Sequence, residues 1–195
     1  GAIEYYSNAI KLNPQYEKAF FQRGLAKYEL EDYQGAIEDF SSAIEVYSMN
    51  KKSYIALLEQ LIKKVELEDH KLTIKDFSNA KNASDHEFKQ AFFYRGLAKY
   101  ELEDYQGAIE DFSRAIELDP QDETAYYGRG LAKYELEDYQ GAIEDFSRAI
   151  ELDPQDKEAY NLRGCSKYEL KNYQGAIEDF SRIIELDPQD EKGYY

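Results

Sequence analysis

The most specific chemical pattern in this sequence is a row of arginines matched to a row of acids. Arg23, Arg95, Arg129 and Arg163 are each followed sixteen residues later by a carboxylate, at Asp39, Asp111, Asp145 and Asp179. A guanidinium that meets a carboxylate side-on forms two parallel charge-assisted hydrogen bonds. The spacing predicts such contacts between two packed helices. A solvated arginine row is the plainer alternative, because exposed ion pairs contribute little. Catalytic chemistry finds no support. His70 and His86 are sixteen apart, with no accompanying metal-ligand spacing. The glycines fall singly inside helical patterns, which is not how a phosphate cradle is built. Cys165 is the lone cysteine, so no disulfide framework exists. It stands where other copies have Leu25, Leu97 and Leu131, and reads as a small apolar substitute. No catalytic residue, metal site or cofactor is expected.

The elements that position these residues recur. The stretch Gly96–Pro120 returns unchanged as Gly130–Pro154, and in closely similar form from Gly24 and from Gly164. Arg95, Arg129 and Arg163 stand 34 residues apart, and a fixed period of that size marks a repeat array. In the second helix of the copy from 17, Tyr33, Ala36, Ile37, Phe40, Ala43 and Ile44 follow steps of three and four, giving one apolar face. Asp32 sits where an N-cap acceptor is wanted, and Asp122 and Asp156 are candidate caps for first helices. Phe20, Gly24 and Tyr28 share a face of the first helix. A glycine inside a helix costs about 1 kcal/mol relative to Ala. Close helix approach is the expected compensation, with Gly24 facing Ala36 and likewise Gly96/Ala108, Gly130/Ala142 and Gly164/Ala176.

The repeat resembles the tetratricopeptide (TPR) family. Tyr126, Gly130, Tyr134, Tyr139, Ala142, Phe146, Ala149 and Pro154 carry the family pattern in one copy. Arg129 departs from the commonest family residue, Leu, although Arg-Gly is a familiar variant there. The resemblance covers nearly the whole chain. It implies an all-α fold, a right-handed α-solenoid of 34-residue helix–turn–helix repeats, acting as a non-catalytic scaffold for other proteins. In the family the first helix of each pair lines an inner groove. Mapped onto this chain, that face comprises Phe21, Leu25, Tyr28, Phe93, Leu97, Tyr100, Tyr127, Leu131, Tyr134, Asn161, Cys165 and Tyr168. Packing between repeats is the alternative use of these side chains. Glu29, Glu101, Glu135 and Glu169 follow the tyrosines and add negative charge. The Lys, Asn and Arg set with which some TPR proteins grip a peptide carboxylate is not evident.

Taken in order, residues 1–16 read as a half repeat, 17–50 as a full one, and 51–88 as an irregular longer one. Regular copies follow at 89–122, 123–156 and 157–190, and 191–195 begin a further copy that is cut short. The irregular copy arises because Arg23 and Arg95 are 72 apart, read as two periods plus four residues. A longer first helix near 51–64 is expected there, with Leu61/Thr73 at the close crossing, Gln60 opposite Asp76, and Asp85 in place of the closing proline. The net charge of −16 argues against nucleic acid, which requires phosphate-neutralising cations. No signal-like or membrane-length apolar run is present. The expectation is therefore a cytoplasmic chain with no membrane or nucleic-acid partner. Its partner is another protein or peptide, with a basic, partly apolar segment suiting the groove best. The alternative is a structural module whose uncapped ends stack head to tail.

Overall fold

The structure, a computed structural model, describes residues 1–64, 86 and 88–187, with the backbone alone over 54–64. The regular elements among these residues are helices. They are α1 (Ala2–Leu12), α2 (Glu17–Tyr28), α3 (Tyr33–Lys64), α4 (88–101), α5 (Tyr105–Leu118), α6 (Glu123–Glu135), α7 (Tyr139–Leu152), α8 (Lys157–Glu169) and α9 (Tyr173–Leu186). Two compact units result, Gly1–Leu102 and Glu103–Tyr195. In the first, α1 packs on α2 and α2 on α3. In the second, α5, α6, α7, α8 and α9 each pack on the next. Among the described residues no helix is long and apolar enough to cross a membrane. The expectations at Leu61/Thr73, Gln60/Asp76, His70, Asp85 and 191–195 lie outside the residues whose side chains are described.

Each second helix begins at a side-chain cap. The carboxylates of Asp32, Asp104 and Asp138 accept from Gly35, Gly107 and Gly141 N–H at 3.0 Å, and the Asn172 amide oxygen accepts from Gly175 N–H at 3.1 Å. The residue before each cap is left-handed: Glu31, Glu103, Glu137 and Lys171 have φ of 60–62°. At the end of α6, Glu137 N–H donates to Tyr134 O and Asp138 N–H to Lys133 O, both at 2.9 Å. This paired closure is the Schellman arrangement, in which glycine is the usual occupant of the left-handed place. A side chain there costs about 1–2 kcal/mol, partly matched by the roughly 0.5–1 kcal/mol of extra chain entropy that glycine loses on folding. Glu137→Gly therefore raises the urea midpoint, by a gain of about 0.5–1 kcal/mol. Glu137→Ala leaves it nearly unchanged, which separates strain from charge.

Asp156 caps α8 as expected, accepting from Glu158 and Ala159 N–H at 2.9 and 3.2 Å. Asp122 does not cap α6 with its side chain. Its carboxylate takes the Thr124 hydroxyl at 2.6 Å instead, because that hydroxyl competes for the oxygen that a backbone N–H would otherwise reach.

The small residues work differently from the expected glycine–alanine pairing. A Cβ placed on Gly24 would lie 2.7 Å from Phe40 Cε1, and one on Gly130 would lie 2.8 Å from Phe146 Cε1. The glycine makes room for the aromatic ring of the partner helix, one turn beyond the alanine. Phe40 and Phe146 are accordingly fully buried, and Phe112, also fully buried, meets Gly128 of the next copy.

The arginine–aspartate rows form as predicted at three copies. Arg23 Nε and Nη2 donate to the two Asp39 oxygens at 2.8 and 2.6 Å. Arg129 meets Asp145 at 2.9 and 2.6 Å, and Arg163 meets Asp179 at 3.0 and 2.6 Å. Each acid is only 3% exposed. Each also binds a second cation: Lys27, Lys133 and Lys167 lie 3.0, 2.8 and 2.7 Å away. The free arginine nitrogen reaches back to the preceding copy. Arg23, Arg129 and Arg163 Nη1 donate to Ser7, Ser113 and Ser147 Oγ at 3.0, 3.0 and 3.1 Å. One clasp thus joins the two helices of a copy and ties that copy to its predecessor.

The same bond shows where the copy from 89 sits. Arg95 Nη1 donates to Ser41 Oγ at 3.1 Å, and Ser41 belongs to the copy from 17. Tyr94 packs on Phe21, Tyr28 and Phe40, with centroids 6.2, 6.3 and 6.1 Å apart. Ala91 and Ala98 share one core with Ala36, Phe40 and Ala43. Helix α4 therefore meets α2 and α3 directly. The repeat pattern of the sequence ends one copy at 50 and starts a separate first helix near 51, and no such division occurs: α3 runs 32 residues without interruption, against 14 in α5. The reason is local. Where other copies have Asp-Pro-Gln-Asp, this one has Tyr47-Ser48-Met49-Asn50, with no proline to remove an N–H and no aspartate to start a new helix.

Candidate partner-binding face

The proposed face lies on the first helices, and each unit holds half of its residues. In the first unit Phe21 is 5% exposed and packs on Phe40, so it serves the core. Leu25 and Tyr28 are half-buried against the same core. Phe93, Leu97 and Tyr100 on α4 are also half-buried. In the second unit Tyr127 packs on Phe146 at 5.9 Å, and Leu131 and Tyr134 are half-buried. Asn161 is exposed, Cys165 is half-buried, and Tyr168 is 57% exposed. The face is thus graded. Phe21 is core, most of the remaining positions are half-buried, and Asn161 and Tyr168 on α8 are exposed.

That tyrosine has a fixed setting. Tyr28, Tyr134 and Tyr168 meet Tyr33, Tyr139 and Tyr173 edge-to-face, with centroids 5.3, 5.4 and 5.3 Å apart. Such pairs add about 0.5–1.5 kcal/mol beyond area burial and hold both rings in place. Burial, then the neighbouring Cys165 and Glu169, push the Tyr134 hydroxyl above its ordinary range. Burial, then Glu101, does the same to Tyr28. The Cys165 thiol is also pushed up, by burial and then Glu169, which disfavours the thiolate. A glutamate of the next copy thus stands near the hydroxyl of Tyr28 and of Tyr134.

Sequence reasoning missed three partners in this framework. The lysines four residues after each arginine supply the second cation. The serines two residues after each aspartate accept the arginine of the following copy. Leu30, Leu136 and Leu170, at 69%, 46% and 46% exposed, stand at the turn beside each tyrosine pair. All recur at the same places in the copies, and that recurrence was the available signal.

A contrast between junctions tests the electrostatics of the second unit. Lys157 Nζ reaches Asp187 Oδ2 at 2.8 Å. One period earlier Glu123 stands in the lysine's place, near Asp156 and Asp153. Burial, then Asp156 and Asp153, raise the Glu123 carboxyl above its usual range. The unfolded chain loses that proton first as pH rises, so stability falls as pH climbs from about 4.5 through the raised value. Glu123→Lys should raise the melting temperature at neutral pH, by a gain of about 0.5–1 kcal/mol for a partly exposed pair. The advantage shrinks as pH approaches 4, which a melting series across pH checks directly.

A family model described as tetratricopeptide repeat matches residues 1–48, 81–123, 95–156 and 127–191. The chain belongs to this family, and its fold is that of an all-α TPR solenoid. The crystal structure of MamA is similar with a TM-score of 0.74 and 19% identity, covering 96% of this chain and 88% of that one. The Arabidopsis OM64 TPR domain is 30% identical with a TM-score of 0.52, covering 55% of this chain and 88% of that one. The first TPR of Spaghetti (RPAP3), bound to the HSP90 peptide SRMEEVD, is 24% identical with a TM-score of 0.50, covering 52% and 81%. A Giardia intestinalis UDP-N-acetylglucosamine–peptide N-acetylglucosaminyltransferase is 38% identical over 53 residues, which is 27% of this chain and 4% of that protein. So small a share carries no activity across.

Proposed function

We propose that this chain is a non-catalytic protein-interaction scaffold that receives a basic, partly apolar segment of a partner on its first-helix face. The observation that carries this reading is the tyrosine pair edged with glutamates, half-buried at Tyr134/Tyr139 and exposed at Tyr168/Tyr173. Tyrosine gives large contact area at small entropic cost, and the net charge of −16 favours cationic partners. A TPR fold holding a peptide in the RPAP3 structure supports the class of function. The test is fluorescence anisotropy with a labelled Lys/Leu-rich peptide and a Glu/Leu control. The basic peptide should bind, weaken with added salt, and lose at least tenfold in affinity, about 1.4 kcal/mol, in a Tyr134→Ala, Tyr168→Ala variant that keeps its helicity. Equal binding by that variant would move recognition off this face.

A second reading, head-to-tail self-association, draws on the apolar residues at the outer helices. Leu12 on α1 is 89% exposed, and Ile177 and Ile184 on α9 are 58% and 51% exposed, whereas Ile150, the α7 counterpart of Ile184, is buried. Light scattering across a concentration series separates the readings: a stacking module gains mass, and a simple receptor does not.

A further inference from the structure

Arg95 and Arg23 are 72 residues apart, and the contacts of α4 decide how that distance divides. The arginine–serine bond that joins neighbouring copies at Arg129/Ser113 and Arg163/Ser147 joins Arg95 to Ser41. The copies from 17 and from 89 are thus neighbours in the stack, and the distance is one period of 34 with 38 residues added. The added residues enter at a definable place. Tyr47 holds the place in the copy from 17 that Asp119 holds in the copy from 89, and Phe88 stands one period before Asp122; Asp119 and Asp122 are the first and last residues of a regular Asp-Pro-Gln-Asp linker. In the regular linker Asp122 N–H donates to Asp119 O at 3.1 Å. Here the two corresponding side chains stack on each other, with ring centroids 4.2 Å apart and planes 24° from parallel.

The rest of this neck is closely packed. Phe88 meets Phe92 edge-to-face at 5.0 Å, and Lys51 lies over the Tyr47 ring at 5.5 Å. Glu17, Phe21, Ala43, Tyr47, Phe88 and Ala91 enclose only about 10 Å³, at the lower limit for a single water. Chain ends held together in this way are where an extra segment is tolerated, since the loop that it closes costs little more as it lengthens.

We propose that residues 48–87 are an insertion at one repeat junction, separable from the array, and not a repeat of it. The stack is continuous through Tyr47 and Phe88. The segment between them, beginning with the last turns of α3, is an appendage that the array carries and does not need.

The direct test replaces 48–87 by Pro-Gln, with Tyr47→Asp and Phe88→Asp, which restores a regular linker and the 34-residue spacing. Expected is a monodisperse helical chain whose cooperative melting is at least as high as that of the parent. Loss of cooperative unfolding would count against the proposal, but an altered neck could also produce it. A double-mutant cycle on the full-length chain therefore accompanies it, pairing Ser41→Ala with Arg95→Met. Coupling equal to that of Ser113→Ala with Arg129→Met supports adjacency of the two copies. Additive effects at Ser41 and Arg95, beside measurable coupling at Ser113 and Arg129, overturn it.

Discussion

Asp145→Ala should be among the most damaging single substitutions in the chain, lowering stability by about 3–5 kcal/mol, the range for removing one member of a buried ion pair. The carboxylate is 3% exposed and takes two hydrogen bonds from Arg129 and a third contact from Lys133. Its loss leaves a guanidinium and an ammonium facing each other between packed helices. It also releases Arg129 from the geometry that presents Nη1 to Ser113. Urea unfolding measures the cost. The triple variant Arg129→Met, Lys133→Met, Asp145→Leu should recover most of it, because the penalty lies in the uncompensated charge and not in the absence of a favourable pair. A loss under about 1 kcal/mol for Asp145→Ala would mean that the clasp is solvated and acts like an ordinary surface pair.

This clasp also shows how far the sequence could be read. The pairing of Arg129 with Asp145 followed from period and helix geometry, since both quantities are local and repeat. The lysine and serine of the same network repeat equally, but a lysine on a helix is so often solvated that recurrence alone did not single it out. The partner face was legible as a set of positions and less so as a surface. Tyr28 and Tyr168 hold the same place in their copies, yet one is half-buried and the other open. Burial depends on what the neighbouring copy places above each residue: Tyr94 packs on Tyr28.

For residues 47–88 the period and the contacts beside the segment point to different divisions, for a related reason. The segment Val65–Ala80 aligns with the repeat well enough to suggest a member of the stack. Stacking, however, is decided by which side chains meet across a junction. The Ser41–Arg95 bond joins residues 54 apart, where the regular junctions join residues 16 apart. No periodicity within one copy reports that choice. The absent proline after Val46 was visible, and its effect, a helix continuing to Lys64, follows from the same chemistry that ends α5 at Leu118.

Phe146→Ala should cost about 3–5 kcal/mol, through the lost transfer of a fully buried ring and the cavity left behind. The ring lies against Gly130 on one side and Tyr127 on another, so neither backbone nor a small side chain can move in to fill the space. The glycine gives the complementary result. In an ordinary helix Gly130→Ala would gain about 1 kcal/mol of propensity. Here the new methyl would sit 2.8 Å from Phe146 Cε1, and overpacking of this kind costs about 1–3 kcal/mol. The substitution should therefore be neutral to destabilising in the parent. In a Phe146→Leu background, with the ring edge removed, the same substitution should become stabilising. That change of sign is a coupling between two named residues, measurable by urea unfolding of four variants. A gain of about 1 kcal/mol from Gly130→Ala in both backgrounds would place the ring away from the glycine, leaving the recurrence of glycine before each Leu or Cys without this packing cause.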